Sequence, residues 1–124
     1  MTGFFDTNIL IDFLNGIEEA GKTFEPFDRL CISRITWMEV MAGARDSQQE
    51  RKIRRFLSQF DMIELDESIS EAAVSLRRHH RPKLRLPDAI ILASARGTGC
   101  RLTTRNNQDF PKQNADIHIP YRLL

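Results

Sequence analysis

The sequence is poor in cysteine: only Cys31 and Cys100 occur, with no CxxC pair and no Cys/His cluster, so a thiolate zinc site is excluded. Each cysteine lies beside apolar residues in an expected strand, and both are read as buried, reduced thiols. Long apolar stretches are also missing. The run Ala89–Ala93 is far too short to span a bilayer, and the opening Met1-Thr2-Gly3-Phe4-Phe5-Asp6 has neither a basic start nor an extended apolar segment. A membrane span and an export signal are therefore not expected, and the chain is read as cytoplasmic. There is no internal repeat, low-complexity tract or linker, so residues 1–124 are read as one domain. Nor is there much overall charge, the formal net value being +1.

What is present is the make-up of a soluble globular domain, with 41% hydrophobic and 28% charged residues and eight Phe to fill a core. The near-neutral total hides an asymmetry. Residues 1–50 hold four basic and nine acidic side chains, whereas residues 51–124 hold fourteen and eight, giving −5 and +6. Such a division suits a protein that gathers carboxylates in one place and offers cations to a polyanion nearby; solvated helix faces would also produce it.

The pattern alternates strands with helices. Gly3–Asp6 reads as a strand ending at an acid, followed by a helix through Ile9 and Phe13 that stops at Asn15-Gly16. Leu30–Ser33 is a second strand, with Thr36 the expected N-cap of a helix through Trp37, Val40, Met41 and Ala44, and a further basic helix over about Ser47–Gln59. A third strand is expected at Met62–Leu65, and a helix from Glu67 to about His80, ended by Pro82. Pro87 suits the first turn of a buried helix through Ala89–Ala95, closed by Gly97 and Gly99. Cys100–Thr104 and Asp116–Ile119 complete the strands. This order predicts an α/β fold with a central, mostly parallel β-sheet flanked by helices, whose chemistry belongs at the carboxyl ends of the strands.

Four acids fall at such places: Asp6 after the first strand, Glu39 on the helix after the second, Asp88 opening the buried helix, and Asp109 beyond the fourth strand. Each has an ordinary explanation alone, as a cap, an exposed helical charge, an answer to the helix dipole or a turn former. Converging, they would repel one another unless a cation intervened. Oxygen-only donors favour Mg²⁺ or Mn²⁺, and the chemistry this suggests is metal-assisted phosphodiester cleavage by one ion or two. Asp12, well into the first helix, and Asp66 are read as solvated or capping residues outside the site.

Four stretches, Asp6-Thr7-Asn8-Ile9-Leu10-Ile11-Asp12, Ser33-Arg34-Ile35-Thr36-Trp37-Met38-Glu39-Val40, Leu86-Pro87-Asp88-Ala89-Ile90-Ile91-Leu92-Ala93-Ser94-Ala95 and Leu102-Thr103-Thr104-Arg105-Asn106-Asn107-Gln108-Asp109-Phe110, resemble in order and spacing the four blocks of VapC-type PIN domains. The resemblance spans nearly the whole chain. It implies a PIN fold and a Mg²⁺- or Mn²⁺-dependent endoribonuclease acting as the toxin of a toxin–antitoxin pair, leaving 5′-phosphate and 3′-hydroxyl ends. Asp6, Glu39 and Asp88 would be metal ligands and catalytic residues. Either Asp109 or Asn106 would serve as the fourth ligand, since Asn106 stands where some members have an acid. Thr7, Asn8 and Thr104 would orient the carboxylates, or simply cap and turn the chain. The resemblance further implies RNA as substrate, a VapB-like antitoxin as partner, and a homodimer joined across helices.

The tract from Arg77 to Arg85 carries five formal positive charges without an acid and leads directly to Asp88. Arg81, Lys83 and Arg85 are candidates for holding RNA phosphates, which adds affinity without sequence choice. Arg105 is read either as facing the scissile region or as a structural ion pair. Arg51–Arg55 is read as a solvated helix face, and His79 and His80 are given no catalytic role. Trp37, Met38 and Met41 are read as core or as the lining of a groove for a partner helix. Two other classes fit less well. A receiver-type phosphoacceptor domain needs an acidic pair after its first strand and a late Lys, and a haloacid-dehalogenase-type phosphatase needs Asp-x-Asp; here Asp6-Thr7-Asn8 and Arg105 stand instead. A catalytically silent RNA-binding or scaffold module is the remaining alternative, and the intact acids argue against it.

Overall fold

The computed structural model describes residues 1–110 and 114–123. Among them, five strands form one all-parallel sheet: β1 (Thr2–Phe5), β2 (Arg29–Ser33), β3 (Asp61–Ile63), β4 (Leu102–Thr103) and β5 (Ile117–His118), in the spatial order β3-β2-β1-β4-β5. Six helices accompany them: α1 (Thr7–Leu14), α2 (Glu18–Phe24), α3 (Arg34–Ala42), α4 (Ser47–Leu57), α5 (Glu67–His79) and α6 (Leu86–Gly97). Parallel neighbours need crossovers, and the helices supply them while covering both faces.

Alternation along each strand divides the core into two layers. Phe4, Cys31, Leu102 and Ile117 face α5 and α6, where they meet Leu84, Ile91, Leu92 and Phe110. Phe5 and Ile32 face the other way, against Ile9, Leu10, Val40, Ile53, Leu57 and Phe60. On that side Phe5 packs edge-on against Phe24, Phe27 and Phe60, with the Phe5 and Phe24 rings 4.9 Å apart. Helix α6 is buried along Asp88–Ala89 and Ile91–Ala95, as its apolar run requires. Both cysteines are free, Cys31 buried and Cys100 half-buried. No helix among the described residues is long and apolar enough to cross a membrane.

Several expected boundaries shift. Ser33, not Thr36, caps α3: its side chain accepts from the Ile35 N–H at 3.2 Å, so the helix begins at Arg34 and Thr36 lies inside it, fully buried. Helix α2 was not expected, because it is short, contains Gly21 and buries only Ala20 and Thr23. The strand expected at Met62–Leu65 is Asp61–Ile63, and β4 and β5 keep only two residues of their predicted spans because only those find ladder partners. Asp66 caps α5 by accepting from the Ile69 N–H, as expected of a capping acid.

The chain runs outward from β1 through β2 to β3, then returns to the other side of β1 for β4 and β5. The strand order therefore reverses between β1 and β4. At such a reversal the loops leaving the two strands diverge and open a crevice at their carboxyl ends.

Candidate metal centre

Asp6 and Thr104 follow β1 and β4 directly, and the Asp6 N–H donates to the Thr103 carbonyl at 2.9 Å, so both sit in the floor of this crevice. Asp6 is 4% exposed. Its Oδ1 accepts from the Thr7 N–H at 2.8 Å, which caps α1, and its Oδ2 accepts from the Thr104 hydroxyl at 2.7 Å and, more distantly, from Asn8 Nδ2. The side chain that caps α1 is thus also the one that Thr104 holds from across the sheet. Burial pushes the Asp6 carboxyl up from 3.8 to about 6; the Thr104 and Thr7 hydrogen bonds oppose this, and the nearby Asp88 and Glu39 charges add to it.

Glu39 projects from α3 and is exposed, with Oε1 accepting from the Thr7 hydroxyl at 2.7 Å. The Thr36 hydroxyl, one helical turn before Glu39, lies 3.0 Å from that of Thr7. Thr36 is therefore a supporting residue that its reading as an N-cap concealed; the i, i+3 spacing to Glu39 was the available signal. Asp88 lies in the first turn of α6, is 7% exposed, and meets Arg85 Nε at 3.4 Å. Burial raises its pKa, with Arg85 opposing and Asp109 and Glu39 adding. The Glu39 charge raises the pKa of both Asp6 and Asp88, and the Asp109 charge raises that of Asp88, so the four acids lie within electrostatic reach of one another.

The fourth position is shared. Asn106 Nδ2 donates to Asp109 Oδ2 at 3.0 Å, and Asn106 Oδ1 accepts from the Gln108 and Asp109 N–H groups. The Asn106 N–H in turn donates to the Thr104 hydroxyl at 3.0 Å. The same hydroxyl accepts from Asn8 Nδ2 at 3.1 Å, and Asn8 Oδ1 accepts from the Arg105 N–H. Thr7, Asn8 and Thr104 thus connect Asp6 to Glu39 and, through Asn106, to Asp109, whereas Asp88 is held by Arg85.

Two readings of the chain need revision or completion. Asp12 is not solvated: it is 4% exposed and receives a two-pronged ion pair from Arg105, Nε to Oδ2 at 2.6 Å and Nη2 to Oδ1 at 3.0 Å, with the Tyr121 hydroxyl on Oδ2 at 2.7 Å. Arg105 thereby makes the structural ion pair, one of its two expected roles. Arg81 turns to its own backbone, donating to the His80 carbonyl at 2.9 Å, while Lys83 and Arg85 are exposed, Arg85 beside Asp88. The cations of α4 are exposed, as a solvated face requires. Trp37 and Met41 pack on the core beside α4, whereas Met38 is 51% exposed.

A divalent ion is tested by the donors present. Among the described residues no group of three or more Asp, Glu, His or Cys side chains stands close enough to enclose an ion directly. Two buried carboxyls, Asp6 and Asp88, with the exposed Glu39 nearby, suit Mg²⁺, an ion that keeps several waters and takes one or two carboxylates. Buried acids that resist ionisation, with neither Cys nor His among them, fit a hard cation on chemical grounds.

A family model described as PIN domain matches residues 3–115, and the chain belongs to that family. Within it the chain is of the VapC type. It is 29% identical over 119 residues to the tRNA(fMet)-specific endonuclease VapC of Shigella flexneri, covering 86% of this chain and 88% of that protein. It is 43% identical to a chain of a toxin–antitoxin complex from Klebsiella pneumoniae, with a TM-score of 0.90 over 98% of this chain and 99% of that one. A chain of DNA-bound VapBC from Salmonella typhimurium matches at 26% identity, with a TM-score of 0.73 and 98% of each chain covered. The receiver-type and dehalogenase-type alternatives are thereby set aside.

Proposed function

We propose that this protein is a Mg²⁺- or Mn²⁺-dependent endoribonuclease, the toxin of a toxin–antitoxin pair. The observation that carries the reading is the buried Asp6 carboxyl at the strand-order reversal, with Glu39 and Asp88 close enough to raise its pKa. Asp6, Glu39, Asp88 and either Asp109 or Asn106 would hold the ion. When bound, such an ion activates water and offsets the charge that gathers on a phosphodiester under attack.

The chain's own groups do the rest. The Thr7 N–H and the Thr104 hydroxyl fix the Asp6 oxygens, and the Thr7 hydroxyl fixes Glu39, so the carboxylates need little rearrangement before the ion and substrate arrive. Lys83 and Arg85, exposed before Asp88, would hold flanking RNA phosphates, with Arg81 beside them. The Shigella relative's name makes transfer RNA the first substrate to try.

A VapB-like antitoxin is part of the proposal. It is supported by the neighbouring toxin–antitoxin structures and by a groove of about 220 Å³ that runs from Glu39 past Ile11, Leu14, Val40, Lys52 and Ile53. An amphipathic helix laid there would cover the apolar wall and close the site at the Glu39 end. A homodimer is proposed with it, to be measured by sedimentation.

The test is cleavage of cellular RNA by antitoxin-free protein with Mg²⁺ or Mn²⁺, with EDTA, and with Asp88→Asn, reading the new 5′ ends by sequencing. Discrete cuts bearing 5′-phosphates and lost in both controls are expected. Intact RNA in every lane would overturn the reading in favour of a catalytically silent RNA-binding module.

A further inference from the structure

Asp12 is a buried anion that the chemistry above does not use. It lies in the second turn of α1, and its oxygens take both prongs of Arg105 and the Tyr121 hydroxyl. This paired geometry fixes a guanidinium more tightly than a single contact does. The hydrogen bond to Asp12 leads the causes that raise the Arg105 pKa. Burial, and then the Asp12 carboxylate, push up that of Tyr121, so the phenol is a donor at any working pH. Among the described residues, the side-chain hydrogen bonds of the three run to one another and not to a candidate metal ligand.

Arg105 is nonetheless well placed to act on them. It sits between Thr104, whose hydroxyl holds Asp6, and Asn106, whose side chain holds Asp109. Residues 104–109 belong to no helix or strand, and among the described residues three of their N–H groups, those of Asn106, Gln108 and Asp109, bond to Thr104 and Asn106 side-chain oxygens. Among the described residues, the hydrogen bonds from residues 105–109 to the folded body are those of the Arg105 N–H to Asn8, the Arg105 side chain to Asp12 and the Asn106 N–H to Thr104, and the Arg105 side chain makes the ionic one. Tyr121 adds a further point of support from the segment after β5.

We infer that Asp12, Arg105 and Tyr121 form a positioning clamp that sets the Thr104–Asp109 segment, and with it Asn106 and Asp109, at the distance from Asp6 and Asp88 that ion binding requires. The inference rests on the metal-nuclease reading for its purpose but not for its geometry. The three are positioning residues. Loosening the clamp leaves Asp6, Glu39 and Asp88 where they are and lets the fourth donor drift.

Full-length parent, Tyr121→Phe, Asp12→Asn and Arg105→Lys protein would be compared in two measurements. The first is amide exchange without metal. The Arg105, Asn106 and Asp109 N–H groups should exchange about tenfold faster or more in the variants, while those of β1 and α6 keep the parent's rate. The second is Mn²⁺ titration, read from the electron-spin signal of free Mn²⁺. Its Kd should rise about 10-fold or more, the usual effect of disturbing groups that orient metal ligands. Tyr121→Phe keeps the ring and removes a single hydrogen bond, so it guards against a variant that fails to fold. Variants that melt earlier but keep both the parent's exchange at residues 105–109 and its Mn²⁺ affinity would overturn the clamp, leaving an ion pair that only stabilises. A parent that binds no Mn²⁺ would instead count against the nuclease reading, and the exchange rates alone would then decide the clamp.

Discussion

Asp6→Asn is expected to make the metal-free protein more stable while destroying its proposed activity. A carboxyl held at about 6 in the fold, against 3.8 when exposed, disfavours folding above pH 6 by about 3 kcal/mol, since each tenfold change in proton affinity is worth about 1.4 kcal/mol. The sign follows from the raised value. The folded state binds the proton more tightly, so the penalty is absent below 3.8, grows as the pH rises through 6, and is then constant. Asn carries no charge and escapes it. Its amide does meet a mismatch, because the Thr104 hydroxyl that donates to Oδ2 would face an NH₂ group, and one lost hydrogen bond removes about 1 kcal/mol of the gain.

The net effect is about 2 kcal/mol above pH 6.5. For a chain of 124 residues, with an unfolding entropy of about 2.1 cal/mol/K per residue, this raises Tm by about 8 °C. The assay is calorimetry of both proteins in EDTA at pH 7.5 and pH 4. The variant should melt higher at pH 7.5 and no higher at pH 4. Adding Mn²⁺ should then raise the parent's Tm and move the variant's much less, since an ion that binds only the folded state stabilises it by about 2.7 kcal/mol at 100 times its Kd. A variant that melts at or below the parent at pH 7.5 in EDTA would refute the reasoning, because Asp6 would then be better stabilised as an anion than its burial implies.

The remaining expectations concern the surroundings of the site. Thr104→Val removes a fully buried hydroxyl that donates to Asp6 and accepts from Asn8 and Asn106; it should cost about 1–3 kcal/mol in urea melts and push the Asp6 carboxyl further above its ordinary value. Gly3→Ala should cost about 1–3 kcal/mol in the same assay, because a Cβ there would stand 2.6 Å from Phe5 Cζ and 2.9 Å from Phe27 Cγ. Burial, with Arg101 nearby, lowers the His118 pKa below 6.5, so its contribution to stability is present above 6.5 and lost as the pH falls through the folded value; His118→Gln should flatten that part of the dependence when denaturant midpoints are compared between pH 7.5 and pH 5.

What could be read from the chain follows the range of the interactions involved. Strand β1, helix α6 and the placing of Asp6 and Asp88 have local causes: an apolar run that ends at an acid, and Pro87 opening a buried helix. Helix α2 has no comparable local cause, since Phe24 finds Phe5 and Phe60 only once the sheet exists. The capping error at α3 has a related origin. Ser33 and Thr36 are both good caps, and choosing between them depends on whether β2 ends at Ser33, which its pairing with β3 settles.

Asp12 shows the limit most clearly. On α1 alone it looks like a solvated charge, because its cation and its phenol lie 93 and 109 residues further along the chain. Only the return of β4 to the side of β1 carries Arg105 past it, and only the segment beyond β5 brings Tyr121. The same return puts Thr104 on Asp6. The strand-order reversal therefore does two things at once: it sets Thr104 against Asp6, and it brings a partner to the one acid of α1 that would otherwise be buried without one. Leaving that charge unpaired would cost several kcal/mol, so the reversal and the Asp12–Arg105 pair constrain one another.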